Sequence, residues 1–138
     1  MSEENVNLVR RYVEDVVGKG DAGAIEEIYS PDYVNHTTFA GGDLRGLDGV
    51  RSVMTAFRTG FPDVNVTIDD VIEAGDKVVT RATGYGTHTG EFRGIAPTGR
   101  KIEVRIISIF RISEGKIIER WENMDTMTLM QQIGAIPG

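Results

Sequence analysis

Val64-Asn65-Val66-Thr67-Ile68 is the point at which this chain changes period. Upstream, apolar residues recur at helical spacing. From Val64 onward they alternate with polar residues, so Val64, Val66 and Ile68 share one face of an extended segment. Behind this boundary, Val6, Val9, Val13, Val16 and Val17 fit a helix from Asn5 to Val17, with Leu8 and Tyr12 on an adjoining stripe. Gly18 and Gly20 mark its stop. A second helix fits Ala22–Tyr29 and ends at Ser30-Pro31. A third fits Leu47–Thr59, with Val50, Val53, Met54 and Phe57 on one side and Gly60 and Pro62 beyond its end. The stretch from Asp32 to Phe39 reads as irregular or extended, and Gly41-Gly42 as a turn.

Ahead of the boundary, Gly75-Asp76 is a turn, and Lys77–His88 and Lys101–Ile112 are strands. Ser113-Glu114-Gly115-Lys116 reads as a tight hairpin loop, because glycine accepts positive φ at little steric cost. Ile117–Asp125 is the last strand. Helices first and antiparallel strands after them predict an α+β fold. The expected architecture is a single domain over residues 1–138. In it, three N-terminal helices pack on a curved, mostly antiparallel sheet that encloses an apolar cavity, the kind of space in which ligands bind. Around Ile106–Phe110 the strand is apolar on both faces. One face can cover the cavity and the other needs a cover of its own, so a homodimer is expected.

The chain has 138 residues, enough for one domain with one core, and its 40% hydrophobic content with mixed charges indicates a folded globular protein. The net charge of −6, with Arg and Lys scattered, argues against a nucleic-acid partner. There is no cysteine, which excludes disulfides, thiolate metal sites and a cysteine nucleophile. No apolar run approaches the roughly 20 residues that span a bilayer. The acidic start, Met1-Ser2-Glu3-Glu4-Asn5, lacks a secretory pattern. No membrane association and a cytoplasmic location are expected. Neither a GxSxG nucleophile nor a dinucleotide fingerprint is present.

The candidate chemistry centres on the last strand. By the two-residue period, Ile117, Glu119, Trp121, Asn123 and Asp125 share one face, and Lys116, Ile118, Arg120, Glu122 and Met124 the other. Trp121, the single tryptophan, is expected to face inward. That places Asp125 and Asn123 in the cavity with it. A carboxylate against apolar walls loses hydration and its pKa rises, so it can take a carbon-bound proton and return it to an oxygen. The competing reading is that Asp125 caps the stretch Thr126–Ile133. Tyr12, Phe39, Met54, Phe57 and Phe61 are candidates for the cavity wall, although aromatic residues at helical spacing are more often plain core. Arg105 and Glu103 share a strand face and can pair there. His36 and His88 carry no metal-ligand spacing, and no metal or cofactor is expected. His36, in the segment after the second helix, is preferred as a site residue that donates a hydrogen bond to a carbonyl or oxyanion. His88 lies between two glycines and reads as part of a bend.

Trp121-Glu122-Asn123-Met124-Asp125 followed by Leu129-Met130-Gln131-Gln132-Ile133-Gly134 carries a family resemblance. So do Gly86-Thr87-His88-Thr89-Gly90-Glu91-Phe92 and Gly94-Ile95-Ala96-Pro97-Thr98-Gly99-Arg100. Together they resemble the SnoaL-like polyketide cyclases of the nuclear transport factor 2-like and ketosteroid-isomerase-like superfamily. The resemblance implies a cofactor-free intramolecular aldol closure on a small apolar or aromatic carbonyl compound, with Asp125 as acid and base, His36 beside it and Tyr12 against the ligand. Some relatives support the aspartate with a histidine on the preceding strand. Here that strand reads Glu103-Val104-Arg105-Ile106-Ile107-Ser108, and Arg105 or Ser108 stands as its candidate replacement. A ligand-binding or scaffold protein of the same fold, or a related isomerase or epoxide hydrolase, is the alternative.

Overall fold

The computed structural model describes residues 2–37 and 42–137, and its elements depart from the expected helices-then-strands order in that two strands precede the third α-helix and a helix follows the last strand. Helix α1 (Ser2–Arg11) runs directly into a π-helical stretch, Tyr12–Gly18. Helix α2 (Ala22–Ile28) is capped by Asp21, whose carboxylate accepts from the Gly23 and Ala24 amides. Strand β1 (Tyr29–Thr37), the short β2 (Leu44–Arg45) and helix α3 (Gly46–Gly60) follow. Strands β3 (Asn65–Ala74), β4 (Lys77–Thr87), β5 (Lys101–Ser113) and β6 (Lys116–Met124) build the rest of the sheet, and helix α4 (Thr126–Gln132) follows β6. The helices among the described residues therefore include one at the C-terminal end, beyond the three expected.

The sheet has six strands in the order β2-β1-β6-β5-β4-β3. All neighbours are antiparallel except β1 and β6, which run parallel. The sheet is curved and does not close, so the α+β cone is the observed fold. Residues 32–37, read from sequence as irregular or extended, are strand here. The β1–β6 register slips between Tyr29 and Val34, where Pro31 has no amide to give the ladder. At the β5–β6 hairpin both Glu114 (φ 52°) and Gly115 (φ 73°) adopt the left-handed region, the backbone a two-residue hairpin turn requires.

One irregularity in this hairpin sets the orientation of everything beyond it. Ser113 pairs with Lys116 and Ile112 with Ile117, but Arg111 pairs with Glu119. Ile118 is therefore an extra residue, a β-bulge, and it reverses the faces of all that follows on β6. Ile117 is fully buried as its alternation requires. Past the bulge, Arg120 and Glu122 point inward, while Trp121 and Asn123 point outward.

Two apolar clusters stand on the inner face. The first gathers Val9, Val16, Ile25, Ile28, Tyr29 and Tyr33 from the helices and β1 with Val78, Phe110, Ile112 and Ile117 from the sheet. The second gathers Phe61, Val64, Phe92, Ile102 and Val104 with Leu129 and Ile133, the buried side of α4. The β4–β5 connection folds back onto the end of α3 at Gly90. A Cβ there would stand 1.9 Å from the Thr59 carbonyl oxygen, so only glycine permits the approach. His88 is fully buried beside Phe61 and accepts at Nδ1 from the Thr98 amide at 3.3 Å, which agrees with its reading as part of a bend.

Candidate functional site

The inner face of the sheet and the helices opposite it bound an open-mouthed cavity of about 100 Å³. Members of both clusters line it, so it lies between them. From the π-helical stretch come Tyr12, Val16 and Val17, and from α3 come Val50, Val53, Met54, Phe57 and Arg58. Strand β1 adds Tyr29, Tyr33 and Asn35, β5 adds Ile102, Val104 and Ile106, and β6 adds Arg120, Glu122 and Met124. Among the described residues, Glu122 is the one carboxylate in this lining. A π-helical turn that projects three side chains into the cavity matches the tendency of such turns to fall at functional sites.

The polar groups form one connected set. Ser108 and Glu122 are cross-strand partners, flanked in the same row by Thr80 on β4 and Thr37 on β1, and all four are buried. Arg120 donates from Nε and Nη2 to Ser108 Oγ, at 3.2 and 2.9 Å, and from Nη1 to Tyr12 Oη at 2.9 Å. Its Nη2 also lies 3.3 Å from Glu122 Oε2. Asn35 Nδ2 donates to Glu122 Oε1 at 3.1 Å. The guanidinium lies 4.6 Å from the Phe110 ring centroid and 5.1 Å from that of Tyr12. Burial works against its charge, but Glu122 and the surrounding tyrosines outweigh burial and move the Arg120 pKa up. Burial raises the phenols of Tyr29 and Tyr33 well above their ordinary value, so both stay neutral.

The residues expected at the site divide into two groups. Tyr12, Met54 and Phe57 line the cavity as expected. Phe61 is fully buried but belongs to the second cluster and not to the cavity lining. Phe39 lies outside the described residues. The expected placement of Asp125, Asn123 and Trp121 is reversed by the bulge at Ile118. Asp125 is exposed and caps α4, where it accepts from the Thr128 amide at 3.2 Å and the Thr128 hydroxyl at 2.6 Å. These two bonds lower its pKa, the opposite of the expected rise. Trp121 is 37% exposed and stacks against His36 on the outer face, with ring centroids 5.4 Å apart.

His36 is likewise outside the cavity. Its Nε2 lies 2.7 Å from Glu119 Oε2 and its Nδ1 3.1 Å from Asp43 Oδ1. The hydrogen bond to Glu119, against burial and with help from Asp43, raises the His36 pKa. Arg105 is exposed on the outer face of β5, so Ser108, not Arg105, stands across from the inward carboxylate. Asn35, Ser108, Arg120 and Glu122 are the site residues that alternation alone did not reveal. The available signal was a one-residue mismatch across the hairpin: Phe110 is inward, and counting back through a regular ladder puts Glu119 opposite it instead of Arg120. Among the described residues no group of three or more His, Cys, Asp or Glu side chains is placed to hold a metal ion.

Among the described residues, an apolar cone with one inward carboxylate, paired to an arginine and an amide, forms a candidate small-molecule site in an α+β fold. The chain belongs to the SnoaL-like polyketide cyclases, whose family model matches residues 7–133. It is 29% identical over 132 residues to the aklanonic acid methyl ester cyclase AcmA of Streptomyces galilaeus, across 95% of this chain and 91% of that one. It is 26% identical over 117 residues to the nogalonic acid methyl ester cyclase of Streptomyces nogalater, across 83% of this chain and 87% of that one. Among solved structures it is similar to TsrD from Streptomyces laurentii, with a TM-score of 0.86 and 28% identity over 99% of this chain and 98% of that one.

Proposed function

We propose that this protein is a cofactor-independent cyclase that closes a ring by intramolecular aldol addition, with Glu122 as its acid and base. The observation that carries this reading is that Glu122 alone, among the described residues, presents a carboxylate to the cavity. The substrate is an aromatic carbonyl compound carrying a carbon acid flanked by carbonyls. Glu122 takes that proton, and the charge left behind spreads into the conjugated carbonyls. The carbanion then attacks a second carbonyl of the same molecule, forming the new C–C bond and an alkoxide. Glu122 returns its proton to that oxygen, so no atom is gained or lost.

The other groups act on charge and position. Arg120 places a buried cation beside the developing anion, where low dielectric strengthens its effect. Tyr12 Oη accepts from Arg120, which leaves its own O–H to polarise the carbonyl under attack. Tyr29, Tyr33 and Phe57 hold the ring system so that the reacting carbons meet, a contribution that reaches several kcal/mol in well-oriented reactions.

The outer face of the sheet supports a homodimer. Ile72, Val79, Ile109, Trp121 and His36 form one registered row across five strands, and Ile72 is 57% exposed. A second copy facing this row would bury it.

A ligand-binding protein of the same fold is the second reading, and one observation favours it. Glu122 is already engaged by both Arg120 and Asn35, as a purely structural carboxylate would be.

The test uses aklanonic acid methyl ester and nogalonic acid methyl ester as substrates, with product followed by chromatography. Glu122→Gln should lower turnover by roughly 10²–10⁴-fold, the usual contribution of a general acid–base group. Asp125→Asn should retain turnover. Full activity in Glu122→Gln would remove Glu122 as the base. Binding of either ester without any turnover by the unaltered protein would favour the ligand-binding reading.

A further inference from the structure

The Asn35 amide sits 5% exposed among the cavity-lining residues, with one end engaged and the other free. Its Nδ2 donates to Glu122 Oε1, and this bond fixes which end is which, because the flipped amide would set oxygen against oxygen. Asn35 Oδ1 is then a buried acceptor with no partner in the protein. Buried polar atoms are almost always paired, so an orphan that lines a cavity calls for a donor from what fills it. The neighbouring cation does not meet this need. Four of the five Arg120 N–H donors go to Ser108, Tyr12 and Glu122, and none of its hydrogen bonds reaches Asn35 Oδ1. Asn35 and Glu122 thus both line the cavity at the sheet, and Asn35 Oδ1 is a buried acceptor there without a partner.

We propose that Asn35 Oδ1 selects ligands that carry a hydroxyl donor, phenolic or enolic, next to the position addressed by Glu122. The inference rests on the cyclase reading for the identity of the reacting carbon, and on geometry alone for the hydroxyl. An unpaired acceptor beside Glu122 favours the enol form of a 1,3-dicarbonyl unit, whose O–H points to Asn35 while the adjoining carbon faces Glu122. A ligand without that donor would leave Asn35 Oδ1 desolvated and unpaired, the penalty that makes hydrogen-bonding sites reject analogues lacking the group.

The probes are 2-naphthol and 2-methylnaphthalene, which match in shape and differ in one O–H. Their dissociation constants are measured by equilibrium dialysis for the unaltered protein, Asn35→Leu and Asn35→Ala. Two substitutions are used so that a folding failure of one does not remove the comparison, and circular dichroism verifies each fold. The preference for 2-naphthol over 2-methylnaphthalene should be about tenfold or more greater in the unaltered protein than in either variant. The same preference in all three proteins would overturn the inference, and so would failure of 2-naphthol to bind the unaltered protein. Turnover plays no part in this readout. No preference for 2-naphthol in an unaltered protein that turns over the esters would overturn the hydroxyl inference alone, and a clear preference in an unaltered protein without turnover would overturn the cyclase reading alone.

Discussion

Arg120 and Glu122, two residues apart on β6, hold their charged groups 3.3 Å apart at the sheet side of the cavity, and each side chain is 8% exposed. Two charges withdrawn from water depend on each other. Neither is neutralised by solvent, and the hydrogen bonds from Asn35 and to Ser108 and Tyr12 complete their shells. Such a pair contributes little net stability when intact, but removing one member leaves the other buried and uncompensated.

Arg120→Met should therefore destabilise the fold by roughly 3–5 kcal/mol, because Glu122 is left charged against apolar walls. The double variant Arg120→Met with Glu122→Gln should recover a large part of that loss. Urea unfolding of the two single variants and the double variant measures the coupling. A double variant whose loss equals the sum of the two single losses would show that the pair is not coupled.

Asp125 is expected to behave as a helix cap. Asp125→Ala removes the acceptor for the Thr128 amide and hydroxyl, and should cost about 0.5–2 kcal/mol. Asp125→Asn should cost less, since asparagine still caps. Thermal unfolding of both gives the comparison, and a cap role fails if alanine and asparagine are equally damaging.

Gly90 should tolerate no side chain. A Cβ at this position meets backbone, not a movable side chain, at 1.9 Å. Gly90→Ala must push the β4–β5 connection off α3 and break the hydrogen bond that the Gly90 amide donates to the Gly60 carbonyl. The expected result is a loss of several kcal/mol or failure to accumulate folded protein, read by circular dichroism and urea titration. A melting temperature unchanged from the unaltered protein would contradict the packing described.

The His36–Glu119 contact gives stability a pH dependence of defined sign. The His36 pKa is raised in the folded protein, so its contribution is complete below the ordinary histidine value, about 6.5, and is lost as pH rises through the raised value. Glu119 is lowered, first by His36 and then by Arg111, so its contribution is present above the ordinary glutamate value, about 4.3, and is lost as pH falls through the lowered one. The pair should therefore stabilise most between about pH 4.3 and 6.5. His36→Gln should lower the melting temperature by roughly 1–3 °C near pH 6 and by less at pH 9, as befits a partly exposed ion pair. A deficit that grows toward pH 9 would reverse the sign argued here.

The proposed dimer is tested through the outer row. Light scattering of the unaltered 15.2 kDa chain should give twice that mass. Ile109→Asp, which sets a charge beside Trp121 in the middle of the row, should return it to the monomer mass. A monomer in the unaltered protein at micromolar concentration would remove the dimer.

The sequence by itself determined the three N-terminal helices and the four strands after Val64, but not the strands that precede the third helix. Valine spacing in α1, the change of period at Val64, and the Glu114-Gly115 turn are local properties, set by side-chain periodicity and by backbone conformations that glycine accepts. It also offered Tyr12, Met54 and Phe57 as candidates for the cavity wall, which they line, through the periodicity that sets the helical face packed on the sheet. Which carboxylate enters the cavity was decided only in the tertiary structure. The alternation that buries Ile117 would also bury Trp121 and expose Glu122, and one extra residue at Ile118 exchanges them. A bulge depends on how β5 and β6 settle against the rest of the core. Arg120 and Glu122 can occupy the inner face because Tyr12, from the π-helical stretch, and Asn35, from the parallel strand β1, come from far along the chain to satisfy them. Alternation within one strand carries no information about partners 108 or 87 residues away.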